Sequence, residues 1–335
     1  MEFERAKLDI DGAVGTLTLN HPEVMNAVSP EMLGGLMRAM DAMEDPKNGI
    51  RCLVMTGEGR GFCTGANLQG RGDNSGARPD AGSALETMYH PFLRRLRNLQ
   101  MPFVTAVNGP AAGVGMSFAL MGDLVLCARS SYFLQAFRRI GLVPDGGSTW
   151  ILPRLVGKAR AMELSLLGEK LPAETALERG LVNRVYDDEK LMEEAKKLAA
   201  DLASGPTKTL GMIRQLYWES TDNTYEEQLN LERQMQRTAG YGEDFKEGVR
   251  AFLEKRPAQF KGNRSPSAHE AAREQREEHQ GDEEKNVRHD RALQVLGRAV
   301  FFRADFFGLA GFDAFAARAA SSARRAQRMS SSGSS

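Results

Sequence analysis

The 335-residue sequence has no excess of charge of either sign. Lys and Arg total 44 and Asp and Glu total 44, so the formal net charge at pH 7 is zero. Without a basic surplus, composition gives no electrostatic argument for nucleic acid or an anionic membrane as a partner. With 41% hydrophobic and 26% charged residues, the chain can bury a sizeable core, which excludes global disorder. An anionic ligand must therefore be held by local groups.

Cysteine is also scarce. The number is odd and no pair has the spacing of metal ligands, which argues against a secreted disulfide scaffold and against a metal site. We therefore expect a reducing, cytoplasmic location, and the first five residues are not typical of a signal peptide. The three cysteines are Cys52, Cys63 and Cys127.

No apolar run is long enough to predict a membrane span. The most apolar stretch, residues 103–127, is rich in glycine and is interrupted by Asn108, Pro110 and Asp123. It is typical of a buried core segment.

Hydrophobic periodicity predicts an α/β fold for the first 130 residues. Ser29-Pro30 is typical of a helix start, because serine is a good N-cap and proline suits the first helical position. The methionines that follow at helical spacing are typical of a core face. In order, we expect a strand over 6–20, a helix from 30, a strand over 51–56, a loop over 70–82, a helix over 83–99, a strand over 103–107, a helix over 109–121 and a strand over 123–128.

The rest of the chain divides into two further regions. From residue 187 the pattern is almost wholly helical, and the Gly205-Pro206 break predicts an α/β core over 1–205 and a helical region over 206–262. Residues 263–335 differ in composition and are predicted to be an atypical extension. They are either a poorly ordered extension or amphipathic helices with phenylalanine on one side and arginine on the other, which would suit a membrane surface or a partner.

Three glycine-rich loops follow predicted strands, at 61–68, 108–116 and 141–149. The second does not fit a dinucleotide-binding fingerprint, because the third glycine position is Phe118. Two such turns can instead direct two backbone N–H groups at one oxygen, an arrangement that stabilises an oxyanion or enolate. The spacing fits equally well with glycines that only permit tight turns.

Residues 3–262 resemble the crotonase (enoyl-CoA hydratase/isomerase) superfamily. The segments GRGFCTGANL, AVNGPAAGVG, LVPDGGSTWILPRLVGKARAMELSLLGEKLPAETALERGLV and DFKEGVRAFLEKR carry the resemblance in that order. It implies an α/β fold, a spiral of ββα units with a helical C-terminal region that assembles into homotrimers or hexamers. It also implies an acyl-CoA substrate, with coenzyme A as part of the substrate and no further cofactor.

The resemblance places the two oxyanion-hole N–H donors on Ala66 and Val114. The family usually has glycine or alanine at the second position. Valine keeps the backbone N–H there, and its branched side chain is expected to narrow the pocket. Gly113, Asn67 and Leu68 are expected to bind substrate, mainly through their backbones.

The two glutamates that hydratases of this family use correspond to Ser117 and Phe137. Hydration must activate water and protonate carbon, so the loss of both acids argues against it. Asp145, in the Pro-Asp-Gly-Gly segment, remains as one carboxyl that can carry a proton between two carbons. Taken by itself, an aspartate at this position would favour an ordinary turn residue, and it is the neighbouring family motifs that favour a catalytic role for Asp145. This segment is most similar to the bacterial ring-1,2-epoxyphenylacetyl-CoA isomerase group, which also moves enoyl-CoA double bonds.

Two other hypotheses stay open. A related dehalogenase of aryl-CoA thioesters uses an aspartate nucleophile, a histidine base and an aromatic residue at the positions of Asp145, His90 and Phe137. His90 and Phe137 are therefore expected to line the substrate pocket, whichever chemistry applies. The fold could also serve as a non-catalytic scaffold. Cys63, beside the first loop, is expected to be a small buried residue because no base for it is recognisable.

Overall fold

The computed structural model describes residues 1–68 and 80–262. Most of the predicted loop over 70–82 and the whole predicted extension over 263–335 lie outside the described residues. The division of the body at 205/206 stays a prediction.

The first predicted strand is two strands. Ala6–Asp11 (β2) and Val14–Leu19 (β3) pair antiparallel, with Asp11 opposite Val14. The prediction of one strand over 6–20 was wrong, because Gly12 has a φ of 56° and turns the chain. The apolar residues Ala6 and Leu8 of β2 lie opposite Leu19 and Leu17 of β3, so the apolar positions change from even to odd numbers across the turn.

Seven strands form the main sheet, in the order β1-β2-β3-β4-β5-β7-β10. From β3 onward the neighbours are parallel, and the central strands are buried on both faces, as their apolar sequences require. The remaining strands of this sheet are β1 Glu2–Phe3, β4 Cys52–Gly57, β5 Phe103–Val107, β7 Leu124–Ala128 and β10 Arg184–Tyr186.

A second sheet of three short strands sits beside the glycine-rich segments. Its strands are β6 Ala111–Ala112, β8 Tyr132–Leu134 and β9 Leu171–Pro172. The helix predicted over 109–121 therefore covers only Val114–Ala119, because Ala111 and Ala112 pair with β8. This shift makes Val114 the first helical residue.

Helices cover both faces of the main sheet. Ser29 caps the first one as predicted, since its Oγ accepts a hydrogen bond from Met32 N. The helices are α1 Pro30–Glu44, α2 Ala81–Ala84, α3 His90–Arg97, α4 Val114–Ala119, α5 Ser148–Leu167, α6 Ala173–Glu178, α7 Leu191–Ser204, α8 Thr207–Glu219, α9 Tyr225–Gly240 and α10 Glu243–Glu254.

The core has two layers. The larger one lies between the sheet and α1, α3 and α4, and includes the predicted methionines Met40 and Met43. The smaller one lies between the other sheet face and α7, whose Ala195 and Ala199 are fully buried. Both layers fix the carboxyl ends of β4 and β5, where the first two glycine-rich loops begin.

One buried ion pair joins the helical region to the body. The Arg214 guanidinium on α8 donates to both carboxylate oxygens of Asp123, at 2.6 and 2.9 Å, and to the carbonyl oxygens of Leu96, Arg97 and Leu99. Its side chain is 3% exposed. The guanidinium donates to five oxygen atoms, so removing it leaves the Asp123 carboxylate and these carbonyls without their donor.

We expect Arg214→Met to lower the free energy of unfolding by about 3 kcal/mol, because the Asp123 carboxylate and the carbonyls lose their donor. Urea denaturation followed by circular dichroism measures this. Lys246→Met, which removes an exposed partner of Glu243, serves as the control and should leave the midpoint in place. Equal midpoint shifts for both variants would contradict the structural role of Arg214.

Candidate active site

The first predicted N–H donor lies in the loop that follows β4. Val28 N–H donates to Gly65 O at 2.7 Å, and Asn67 N–H donates to Val28 O at 2.8 Å. This parallel bridge uses the two neighbours of Ala66, so the N–H of Ala66 points away from residue 28.

The second predicted donor lies at the start of α4. Gly113 N–H donates to Leu134 O at 2.9 Å, and Gly113 adopts a φ of 53°. Val114 follows as the first residue of the helix, where an N–H has no partner within the helix.

The two loops touch at their glycines. A Cβ on Gly65 would lie 3.1 Å from Ala112 O and 3.8 Å from Gly113 Cα. Glycine permits this approach, which brings the neighbouring residues Ala66 and Val114 to the same cavity. Two backbone N–H groups directed into such a cavity can stabilise the negative charge of one oxygen.

That cavity has a volume of about 550 Å³ and is lined by seven of the predicted site residues. Leu68 is 48% exposed, and Asn67 is not among the lining residues that the structure describes. The Phe137 ring lies beside Gly113. Phe137 and Val114 form part of the cavity wall and leave the cavity open. The seven are Ala66, Leu68, His90, Gly113, Val114, Phe137 and Asp145.

Asp145 stands between a 3-10 turn over Ala136–Ile140 and α5. Its Oδ1 is buried and accepts no hydrogen bond from a described residue. Burial raises the pKa of the Asp145 carboxyl to about 6, although the charge of His90 opposes this by lowering it. A carboxyl with this pKa exchanges protons readily near neutral pH, which suits a group that must both take and return one.

His90 is the first residue of α3, directly after an irregular turn, and it lines the cavity. Leu85–Tyr89 form a π-turn in which His90 N–H donates to Leu85 O, because Pro91 has no N–H to continue the α-helical pattern. His90 Nδ1 lies 2.8 Å from Glu86 Oε2, and Arg94 also contacts Glu86 at 3.1 Å. Glu86 therefore engages Nδ1 of the His90 ring.

Other residues have roles that the sequence did not predict. Tyr89 is buried and lines the cavity, a position that its spacing of four residues from Leu85 could have indicated. Ser117 is fully buried, and its Oγ donates to the backbone carbonyl of Asp145 at 3.0 Å. Cys63, by contrast, was predicted to be buried, and this is confirmed: it is fully buried, and burial raises the pKa of its thiol to about 12, so it is an inert core residue.

Two negative findings apply to residues 1–68 and 80–262. No helix there is both long and apolar enough to cross a membrane. No group of three or more His, Cys, Asp and Glu side chains in that part of the chain is arranged to hold a metal ion.

Sequence comparison places these loops in a known family. The sequence profile described as "Enoyl-CoA hydratase/isomerase" matches residues 9–263. The chain is 48% identical over 254 residues to the 1,2-epoxyphenylacetyl-CoA isomerase of Escherichia coli K12, covering 76% of this chain and 97% of that one. It is 39% identical over 262 residues to a probable enoyl-CoA hydratase of Rhodobacter capsulatus, covering 78% and 100%.

Solved structures agree. An enoyl-CoA hydratase subunit from Geobacillus kaustophilus superposes with a TM-score of 0.72 at 34% identity, covering 78% of this chain and 100% of that one. This similarity confirms the predicted crotonase-type α/β fold. Profile, relatives and fold lead to one conclusion: the chain belongs to the enoyl-CoA hydratase/isomerase (crotonase) family.

Proposed function

We propose that this protein is a CoA-thioester isomerase that moves a carbon–carbon double bond through an enolate. The observation that carries the proposal is that one acidic residue, Asp145, lines the same cavity as Ala66 and Val114, whose backbone N–H groups are the proposed donors. Asp145 is the single acidic residue among the described residues that line this cavity. The similarity to a relative named as an isomerase supports the same conclusion.

The steps follow from these groups. The thioester oxygen of a 3-enoyl-CoA accepts hydrogen bonds from Ala66 N–H and Val114 N–H. The Asp145 carboxylate removes a proton from C2, and the electron pair moves into the conjugated system to give a dienolate whose oxygen the two N–H groups stabilise. Protonated Asp145 returns the same proton to C4, which yields the 2-enoyl-CoA.

Hydration of an enoyl-CoA is disfavoured by the side chains of Ser117 and Phe137, because neither can act as a carboxylic acid or base. Ser117 Oγ is engaged with the Asp145 carbonyl, and Phe137 has no ionisable group. No second carboxyl among the described lining residues is then available to activate water while the first protonates carbon. This is why we propose an isomerase, although one relative is named a probable hydratase.

The same groups suit a ring-epoxide thioester. Asp145 would remove a proton from the carbon between the ring and the thioester of a ring-epoxide arylacetyl-CoA, which gives an enolate whose oxygen the paired N–H groups stabilise. Return of that proton to a carbon of the rearranged ring makes the product an isomer of the substrate. The 1,2-epoxyphenylacetyl-CoA isomerase relative supports this substrate class, which we include in the proposal.

A panel of acyl-CoA thioesters decides among the hypotheses. Isomerisation of 3-enoyl-CoA leaves the mass unchanged and increases the absorbance of the conjugated thioester. The second candidate is a hydrolase or dehalogenase, and it is favoured by the position of His90 on the same cavity. Such an enzyme would change the product mass and add a covalent acyl mass to Asp145. Absence of any turnover across the panel, with binding retained, would overturn the isomerase in favour of a scaffold.

We also propose a homotrimeric or hexameric assembly. Several large apolar side chains of α8, α9 and α10 are exposed in the single chain, which supports burial against further copies. They are Ile213, Tyr217, Tyr225, Leu229, Phe245, Val249, Phe252 and Leu253.

We expect Asp145→Asn to reduce kcat for a 3-enoyl-CoA by about 10³-fold, because the amide cannot accept the C2 proton. The dissociation constant for a saturated acyl-CoA should stay within about twofold, since the side chain keeps its shape. Steady-state kinetics and calorimetry measure the two quantities. Asp187→Asn, a surface change beside Arg129, is the control. A fully active Asp145→Asn variant would exclude Asp145 as the acid and base.

The pH dependence follows from the same carboxyl. Because Asp145 must be ionised to act as a base, kcat/KM should rise with pH through a pKa of about 6 and level off above it. Below that pKa the value should fall about tenfold per pH unit. Stopped-flow absorbance between pH 4.5 and 8 tests this, and a flat profile across about pH 5 to 7 would contradict it.

The Val114 N–H can be removed without changing the helix start. Proline is tolerated at the first helical position, so Val114→Pro deletes the donor and should lower kcat/KM by about 10²-fold or more. Val114→Ala keeps the N–H and should retain activity within about threefold. If the alanine variant lost as much activity as the proline variant, the side chain, not the N–H, would be the important group.

A further inference from the structure

Helix α4 contacts the Asp145 loop through one buried hydroxyl. Ser117 Oγ donates to Asp145 O at 3.0 Å, and Ser117 is fully buried. The same carbonyl also accepts hydrogen bonds from Ser148 N at 3.1 Å and Ser148 Oγ at 2.9 Å. The Ser148 bonds are local, within one turn of the chain. The Ser117 bond joins two segments 28 residues apart and is therefore the one that ties the loop to the helix.

The backbone of the loop rests directly on the same helix face. A Cβ on Gly146 would lie 2.8 Å from Ser117 Cβ, 2.9 Å from Ser117 Oγ and 3.1 Å from Val114 Cγ2. Side chains do not approach each other this closely, so Gly146 is in contact with the helix with no space between them. A side chain at position 146 would have to displace either Ser117 or the loop that carries Asp145.

Ser117 and the proposed oxyanion donor share this helix. Residues three apart lie on one face of a helix, so Ser117 lies about one turn after Val114 on the face that contacts the Asp145 loop. On another side of α4, a Cβ on Gly115 would lie 2.1 Å from Cys63 O, so the helix is equally tight against the loop that carries Ala66. All six residues of α4 are buried, which leaves the helix little freedom to move.

We propose that Ser117 is a positioning residue that fixes the Asp145 carboxyl relative to the N–H groups of Val114 and Ala66. The inference rests on the proposed role of Asp145 as acid and base. It adds a reason for serine at this position, because the Ser117 hydroxyl is the group of α4 that donates to the Asp145 carbonyl where Gly146 packs against the helix.

The first test removes the hydroxyl and keeps the packing. We expect Ser117→Ala to lower kcat for a 3-enoyl-CoA about tenfold while KM stays within about twofold, because the substrate still binds and the base stands away from C2. Ser148→Ala removes another donor from the same carbonyl and should lower kcat by less than about threefold. Equal losses for the two variants would overturn the proposal.

A matched control separates positioning from the general loss of a buried hydrogen bond. Ser131→Ala removes a buried hydroxyl that donates to Ala128 O at 2.7 Å, away from the cavity. It should lower the melting temperature about as much as Ser117→Ala and leave kcat unchanged. A drop in kcat that merely follows the melting temperature across the variants would also overturn the proposal.

A second readout needs no turnover. Burial raises the pKa of Asp145, so its ionisation destabilises the folded protein as pH rises from about 4 to 6. Asp145→Asn should therefore melt at a higher temperature than the wild type above pH 6 and at the same temperature near pH 4. The difference in melting temperature between the Asp145→Asn variant and the protein that retains Asp145 is called the melting gap. If Ser117 holds the loop in place, the melting gap should be smaller in the Ser117→Ala background, because the loop becomes more solvated. It should also reach its plateau at a lower pH.

The two readouts distinguish the failure of the function from that of the inference. If the wild type turns over no thioester but the melting gap responds to Ser117→Ala, the proposed function fails and the positioning contact stands. If the wild type is active and Ser117→Ala changes neither kcat nor the gap, the positioning role is wrong.

Discussion

Helix α4 is packed so closely against two loops that only glycine fits at the contacts. Gly115 meets the backbone of Cys63 on one side, and Gly146 meets Ser117 and Val114 on another. The first loop carries Ala66 and the second carries Asp145, while α4 itself begins with Val114. The groups assigned to the chemistry are therefore held against one short, fully buried helix, and their separations are set by backbone contacts instead of flexible side chains.

The electrostatics of the cavity follow from this packing. Because the Asp145 carboxyl stands in a partly buried, mostly apolar wall, burial raises its pKa toward neutrality. The same poorly solvated environment strengthens hydrogen bonds from the N–H groups to a developing oxyanion. Ionised Asp145 lowers the stability of the folded protein, and burial of the two apolar layers of the core must offset this cost.

Local signals predicted much of this structure from sequence. The Ser29 cap, the apolar strands β4 and β5 and the C-terminal helices follow from residue patterns over short windows. The Gly12 turn, the short strands β6, β8 and β9 and the late start of α4 were missed, because they depend on pairing between distant segments. Sequence motifs also indicated Ala66, Val114 and Asp145. They could not indicate the contact of Ser117 with the Asp145 carbonyl, nor that Glu86 holds the ring of His90.

The central claim is that one oxygen of the substrate meets two N–H groups beside one carboxyl. A crystal structure with a saturated acyl-CoA, which keeps the thioester carbonyl and cannot isomerise, tests it most directly. The account predicts the thioester oxygen at about 3 Å from both Ala66 N and Val114 N, with an Asp145 carboxylate oxygen next to the second carbon of the acyl group. An acyl group bound outside this cavity, or a carbonyl oxygen that contacts neither N–H, would contradict the account.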